Sequence, residues 1–299
     1  MKGLIIGTVI LTPLFLMQGC DSKVKTQQQT ASNPHQNHSA TDSKGINQQQ
    51  SSNNHQNQPT HAQHTQASST QAKLIVPKEI KSTQAVPLTI NIQDKAGKAV
   101  SNFETFQEKP MHLIVVSDDL RFFQHVHPTH KGNGRFEVNP NFPSSGSYTL
   151  FSDYKPAGQK EQVSAQKITI PGNVPLPTEL EKFSNTKILA DTKVSLKLPE
   201  KTLKAGKEVK ISFDLQELKQ NQAIKDLQPY LGEKGHLVIV KSSSPLTEAD
   251  YIHAHPIKES TDGQINFISS LPSKGTYKVW LQFNRNGKVN VADFWVNAL

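Results

Sequence analysis

The chain has 299 residues, enough for two domains of ordinary size and a tail, and its formal net charge is +8. Its 33 Lys and Arg residues are scattered, without a compact basic run interleaved with aromatic residues, which argues against nucleic-acid binding. Cys20 is the single cysteine, so the chain cannot form an internal disulfide bond. Metal ligands other than imidazole and oxygen are therefore scarce.

The N-terminal segment, residues 1–19, is predicted to be a signal peptide. Lys2 begins a short basic start, and the apolar run at residues 4–17 is too short to span a bilayer as a stable helix. The run ends in Leu16-Met17-Gln18-Gly19-Cys20, which resembles the lipobox of bacterial lipoproteins. This resemblance implies cleavage before Cys20, lipidation of its sulfur, and an anchor in the cell membrane facing the periplasm or the extracellular side. An ordinary signal peptide cut nearby, or an uncleaved anchor, is the alternative.

Residues 20–72 are predicted to form a disordered tether. Gln, Asn, Ser, Thr and His dominate this segment, and its few large apolar side chains cannot offset the entropy lost on folding. Five histidines are interpreted as polar tether residues, with a weak metal-collecting tract as the alternative: His35, His38, His55, His61 and His64.

The rest of the chain contains one histidine-rich pattern twice. In each copy a histidine opens an apolar run, and a His-x-His-Pro motif follows: His112 with His125-Val126-His127-Pro128, and His236 with His253-Ala254-His255-Pro256. Beyond these motifs the copies match at a constant offset of 129 residues, which indicates a duplicated domain. We therefore predict domains at residues 73–172 and 193–299, joined by a linker at residues 173–192.

Each copy is predicted to be an immunoglobulin-like β-sandwich, so the predicted fold class is all-β. Apolar residues alternate with polar or small ones at residues 86–92 and 209–215, which is the period of a half-buried strand. Roughly seven short strands with turn residues between them, within about 100 residues, are typical of this sandwich, with a small closed barrel as the alternative. Only residues 217–228 have a convincing helical period.

Strand pairing rules predict that the histidines of each copy share one face of a hairpin. Residues that face each other across an antiparallel pair have a constant sum of numbers, and side chains two apart share a face. If strand 111–116 pairs with strand 122–128, His112 lies opposite either His125 or His127, and both choices put the three rings on one face. The same parity holds for His236, His253 and His255. His130 lies past Pro128 in a polar loop, has no counterpart, and is predicted to be exposed.

Three neutral imidazoles on one face suit Cu(II) or Zn(II). The predicted metal ligands are His112, His125, His127, His236, His253 and His255. Asp153 could add an oxygen in the first copy, but Gln282 occupies the matching position in the second, so no shared carboxylate ligand is predicted. The alternative is structural, because the same face carries apolar residues and the histidines near its end could bind backbone carbonyls.

These motifs also resemble a family. Met111-His112-Leu113-Ile114 with Phe123-Gln124-His125-Val126-His127-Pro128, and Gly235-His236 with Gly275-Thr276-Tyr277, are similar to uncharacterised bacterial lipoproteins with tandem YtkA-like, immunoglobulin-like domains. The resemblance implies extracytoplasmic modules that handle copper. It also implies a histidine where this chain has Gln107, which leaves the first copy one candidate ligand short.

Together these features predict a membrane-anchored, exported metal-binding protein that uses a histidine trio in each repeat. Copper is preferred to zinc because imidazole sites favour it in the divalent affinity order. The role would be sequestration, or delivery to an envelope metalloprotein or transporter. The alternative is an envelope binding or scaffold protein with two immunoglobulin-like interaction modules. No paired carboxylates, Ser-His-Asp arrangement or phosphate loop stands out, so no enzymatic activity is predicted.

Overall fold

The computed structural model describes residues 68–81, 83–174, 183–254, 256–258 and 261–299. The predicted signal peptide, Cys20, the tether as far as residue 67, residues 175–182 of the linker and His255 lie outside the described residues. Among the residues that are described, no helix is long and apolar enough to cross a membrane. Apart from one 3₁₀ turn at Glu248–Asp250, every regular element there is a β-strand, so the predicted all-β class is confirmed.

The first repeat is a sandwich of two four-stranded antiparallel sheets. Its strands are β1 (Thr70–Ile75), β2 (Leu88–Asp94), β3 (Met111–Ser117), β4 (Phe123–Val126), β5 (Thr129–His130), β6 (Arg135–Val138), β7 (Gly146–Tyr154) and β8 (Gln162–Ile170). One sheet has the order β1-β2-β6-β5 and the other β4-β3-β7-β8. Ile90 of the first sheet and Leu150 of the second belong to one buried core. Two separate sheets over a common core favour the predicted sandwich over a closed barrel.

The second repeat has the same architecture. Its strands are β9 (Thr186–Leu189), β10 (Thr192–Lys197), β11 (Glu208–Glu217), β12 (Leu227–Gln228), β13 (His236–Lys241), β14 (Tyr251–Ala254), β15 (Gln264–Ser270), β16 (Gly275–Arg285) and β17 (Lys288–Ala298). One sheet has the order β15-β11-β10-β9. The other sheet has five strands: four in the order β12-β16-β13-β14, and β17, which also pairs with β16. Phe213 and Val279, from opposite sheets, share the core between them.

A tyrosine corner supports the immunoglobulin-like assignment in both repeats. The hydroxyl of Tyr148 donates to the backbone oxygen of Ser144 at 2.9 Å, and that of Tyr277 donates to the oxygen of Ser273 at 2.7 Å. A tyrosine near the start of a strand that bonds back to the chain a few residues upstream is a hallmark of such sandwiches. The two tyrosines therefore fix a turn as well as filling the core.

Strand β3 is buried on both of its faces. Leu113 and Val115 belong to the core of the first sandwich. Ile114 and Val116 instead belong to a third apolar cluster, together with Val238 and other residues of the second repeat. The sheets that contain β3 and β13 therefore pack against each other, and this contact is called the repeat interface below. The even-numbered face of β3, which carries His112, lies in this interface.

Three segments differ from the sequence-based expectations. Strand β1 begins at Thr70, inside the segment predicted as tether, and β9 lies inside the predicted linker. Residues 217–228 contain no helix, because Glu217 ends β11 and Leu227–Gln228 forms β12. For β1 the reason is its tertiary pairing. It pairs along its whole length with β2, and the hydrogen bonds of this pairing stabilise a strand that its polar sequence does not predict.

Candidate metal centre between the repeats

The three histidines of the first repeat lie together on one face of the β3–β4 pair. Ile114 faces His125 in this ladder, and the same register, continued one step, sets His112 opposite residue 127. One ring nitrogen from each of His112, His125 and His127 lies within 4.8 Å of the other two. His112 is fully buried and the other two are half-buried. The parity of the residue numbers thus gives the arrangement that pairing rules predict.

The second repeat brings two described histidines to the same place. In β13 and β14, Val238 faces His253, which puts His253 on the face of His236, and both rings are buried. The ring centroid of His253 lies 5.5 Å from that of His112 and 6.2 Å from that of His125. The centroid of His236 lies 6.2 Å from that of His125 and 5.8 Å from that of His253.

These five rings, called the histidine cluster below, form one group between the repeats. Both histidine faces belong to the repeat interface, so the described histidines of the two repeats meet in one group instead of forming a separate site in each repeat. The expectation for His130 is corrected, because it is not exposed in a loop. It lies in β5 and stacks on Phe136 with ring centroids 4.6 Å apart, away from the cluster.

A tight turn in each repeat holds one histidine through its Nε2 atom. His112 Nε2 lies 3.0 Å from the oxygen of Phe106, and His236 Nε2 lies 2.8 Å from the oxygen of Tyr230. Both acceptors open two-residue turns closed by paired backbone hydrogen bonds, at residues 106–109 and 230–233. Positive φ angles at the two central residues, such as 46° at Gln107, identify these turns as type I′.

The other two histidine contacts run between the repeats. His125 Nδ1 lies 2.7 Å from Oε1 of Gln282, and His253 Nδ1 lies 3.0 Å from Oδ2 of Asp153. Asp153 faces His112 in the β3–β7 ladder, and Gln282 faces His236 in the β13–β16 ladder. The two acceptors therefore occupy matching positions, and each supports a histidine of the opposite repeat. Asp153 is thus a hydrogen-bond partner of His253 in the opposite repeat.

These contacts assign the protons of the rings. A carbonyl or carboxylate oxygen only accepts, so the ring nitrogen that faces it must carry the hydrogen. In a neutral ring the other nitrogen then keeps its lone pair, which leaves Nδ1 of His112 and Nε2 of His125 as acceptors. These two atoms lie 3.0 Å apart, although two lone pairs cannot bond to each other. Two more buried nitrogens, Nε2 of His127 and Nδ1 of His236, have no hydrogen-bond partner among the described residues.

Burial keeps the cluster neutral. Loss of water lowers the pKa of His127 to about 3 and that of His236 to about 4, from a usual value of 6.5. Burial also lowers the pKa of His112, and burial together with the neighbouring histidines lowers that of His125 well below its usual range. All four rings are therefore uncharged at neutral pH, which is the form in which imidazole binds metals.

Aromatic residues also pack between the repeats, and the two stacked pairs each take one ring from each repeat. Phe123 of the first repeat stacks on Trp280 of the second, with ring centroids 4.9 Å apart and planes 20° apart. Tyr251 of the second stacks on Phe151 of the first, at 5.0 Å and 22°. These contacts belong to the apolar cluster that joins the two repeats.

Sequence reasoning missed the groups that orient the histidines. The carbonyls of Phe106 and Tyr230 each lie six residues before the histidine that they bind, so their spacing is the same in both copies. That repeated spacing was the available signal. The contact between His125 and Gln282 spans 157 residues and has no local signal in the sequence.

Comparisons with known proteins agree with the duplication. The model of one family, described as Domain of unknown function (DUF8832), matches residues 65–170 and again residues 187–299. A search of curated proteins finds no match.

Several solved structures align with the chain at low similarity. The Escherichia coli adhesin FdeC aligns at 15% identity, over 78% of this chain and 65% of its own, with a TM-score of 0.26. A Salmonella alpha-2-macroglobulin aligns at 15% identity, over 77% of this chain and 15% of its own, with a TM-score of 0.25. A chicken tenascin segment of two fibronectin type III domains aligns at 10% identity, over 77% of this chain and 99% of its own, with a TM-score of 0.24.

The chain thus spans less than two thirds of FdeC and a small part of the macroglobulin, but nearly all of the tenascin segment. Because the family model covers most of this sequence in two consecutive matches, the chain belongs to the DUF8832 family and carries its domain twice.

Proposed function

We propose that this protein is an exported metal-binding protein that holds an ion in the histidine cluster, for sequestration or delivery. One observation carries the proposal: Nδ1 of His112 and Nε2 of His125 lie 3.0 Å apart, and the contacts of the two rings with Phe106 and Gln282 assign the lone pair to both of these nitrogens. With nitrogen–metal bonds of about 2.0–2.1 Å, two ligands at this separation subtend about 95° at an ion. His127 completes a trio of nitrogens within reach of the same point.

The donor set favours copper over zinc. The described ring nitrogens are neutral imidazoles, and no thiolate would join them because the only cysteine, Cys20, would carry the lipid on its sulfur. Imidazole suits both ions, and copper stands above zinc in the divalent affinity order. The turns and the cross-repeat contacts fix the rings before an ion arrives, so little ordering entropy opposes binding.

The proposal includes the location predicted from the sequence. A lipid on Cys20 would anchor the protein at the cell membrane, and the tether would separate the two domains from the lipid surface. The copper-handling role implied by the YtkA-like resemblance fits this placement. An envelope metalloprotein or transporter would supply or receive the ion.

Metal stoichiometry of the chain purified from Asp21 onward tests the proposal. We expect tightly bound Cu(II), or Zn(II), at about one ion per chain, because both repeats contribute to one cluster. His125→Asn should abolish this binding. His130→Asn is the matched control, since His130 lies in the same repeat but outside the cluster. Binding of neither ion, or equal binding by the wild type and His125→Asn, would end the proposal.

An envelope binding or scaffold protein with structural histidines is the second candidate. Its supporting observation is the apolar repeat interface, which holds the two sandwiches together without an ion. Adhesins occur among the aligned structures, so the comparisons match this candidate better than the first. The TM-scores are only 0.24–0.26, so an experiment has to distinguish the two candidates. This candidate predicts that chelators leave the unfolding free energy unchanged, whereas His112→Ala lowers it.

A further inference from the structure

The cross-repeat contact between Asp153 and His253 differs from its counterpart in one chemical respect. His125 is supported by the neutral amide of Gln282, whereas His253 is supported by a carboxylate. Asp153 is only 2% exposed, although a carboxylate is among the costliest groups to bury. The hydroxyl of Tyr251 donates to the same Oδ2 atom at 3.2 Å, so the carboxylate is held in place from the second repeat.

We propose that Asp153 is a positioning residue of a metal centre shared by both repeats, and that it presents His253 as the fourth ligand beside the trio of the first repeat. This inference rests on the proposed function and names the ligand and the supporting residue that complete it.

The geometry of the ring carries the argument. Because Oδ2 of Asp153 accepts the proton of Nδ1, a neutral His253 ring carries its lone pair on Nε2, which is the nitrogen that would bind an ion. The ring centroid of His253 lies 5.5 Å from that of His112 and 6.2 Å from that of His125, whereas the centroids of His112 and His127 lie 5.1 Å and 4.7 Å from that of His125. The nitrogens that lie within 4.8 Å of one another are those of the trio, so His253 would have to approach the trio for four imidazoles to bind one ion.

The negative charge has a separate effect. A carboxylate hydrogen-bonded to the far side of a metal-bound imidazole raises the basicity of the ligating nitrogen. It also offsets part of the charge of a divalent cation in a site that otherwise contains neutral rings. The amide of Gln282 orients His125 without either effect, so His253 should be the stronger donor of the two.

Nitrogen NMR of the metal-free, full-length wild type tests the assigned tautomers without any substitution. We expect His253 and His125 to carry the proton on Nδ1, and His112 and His236 to carry it on Nε2. A His253 ring protonated on Nε2 would overturn the inference, because that ring would direct its hydrogen at the trio.

Cu(II) affinity, measured against a competing chelator, tests the role of the carboxylate. Asp153→Asn keeps an acceptor oxygen and loses the charge, whereas Asp153→Leu loses both. Affinity should fall in that order, by about ten- to a hundredfold for Leu, as is usual when the support of a ligating histidine is removed. Asp118→Asn, an exposed carboxylate of the same repeat, is the matched control and should bind as the wild type does.

A double-mutant cycle separates positioning from a general effect on the fold. If Asp153 acts through His253, Asp153→Leu should cost no further affinity in a chain that already carries His253→Gln. Wild-type affinity in either single variant, or fully additive losses, would overturn the inference and leave the trio as the whole site. A wild type that binds neither Cu(II) nor Zn(II) would instead refute the proposed function itself.

Discussion

Replacing Trp280 by alanine should strongly destabilise the protein, because this side chain belongs to the repeat interface and to neither sandwich core. Trp280 is 2% exposed and stacks on Phe123 of the other repeat. Burying a tryptophan removes about 200 Å² from water, which at about 25 cal/mol per Å² corresponds to about 5 kcal/mol. Measured truncations of buried aromatic residues cost about 3–5 kcal/mol, so we expect a loss in that range.

Urea unfolding followed by circular dichroism and by the fluorescence of Trp295 measures this loss. Trp295 remains in the variant and reports on the second repeat. We expect one transition in the wild type and two in the variant, because the variant loses a buried, stacked contact between the repeats. Val289→Ala, at a position 38% exposed on β17, is the control and should change the unfolding free energy by less than about 0.5 kcal/mol. A loss under about 1 kcal/mol for Trp280→Ala would refute the view that the interface is packed like a core.

Two further predictions concern acid and the backbone. The pKa of His236 is about 4 in the folded chain against 6.5 unfolded, so the unfolded state binds more protons between these values. Stability is therefore full above pH 6.5 and falls as the pH drops toward 4. Urea unfolding of chelator-treated protein should show a loss at pH 5 of at least about 2 kcal/mol, the share of His236, to which the lowered pKa of His127 adds; equal stability at pH 5 and 7.5 would contradict it. Gly134 has a φ of 70°, and an added Cβ would lie 2.5 Å from the oxygen of Ile92, whereas Gly158 has a φ of 72° with open space around it. Thermal unfolding should show Gly134→Ala costing at least about 3 kcal/mol and Gly158→Ala about 1 kcal/mol, and equal losses would contradict the clash.

The fold class and the shared histidine face could be predicted from the sequence because both follow from local rules. Strand periodicity has a short range, and the parity of paired residues needs only the identity of the two strands. The sequence also contained a signal for the repeat interface, which the alternating strand period did not account for. β3 and β13 contain uninterrupted apolar runs, which are typical of strands buried on both faces, so each required a second partner besides its own sandwich. The identity of that partner is a long-range property, as the contact between His125 and Gln282 shows.

The contacts of the interface occur in pairs in which the repeats exchange roles. Phe123 stacks on Trp280 as Tyr251 stacks on Phe151, and Gln282 supports His125 as Asp153 supports His253. Such an exchange is the pattern of an isologous dimer, in which a residue near the two-fold axis lies beside its own counterpart. A histidine hairpin placed near such an axis therefore doubles the histidines in one cluster instead of creating two clusters.

Joining the two halves in one chain also lets them diverge, which identical subunits cannot do. Among these contacts the matching positions differ at three places: Asp153 against Gln282, Tyr251 against Phe123, and Phe151 against Trp280. Of these residues, Asp153 and Tyr251 contact each other through a hydrogen bond. Asp153 bonds to His253 and Tyr251 bonds to Asp153, whereas His125 has only the neutral amide of Gln282. The polar differences among these contacts thus favour His253. Replacing Asp153 by Gln and Tyr251 by Phe restores the symmetry of these polar contacts, and should make His253 as weak a donor as His125 while leaving the apolar interface in place.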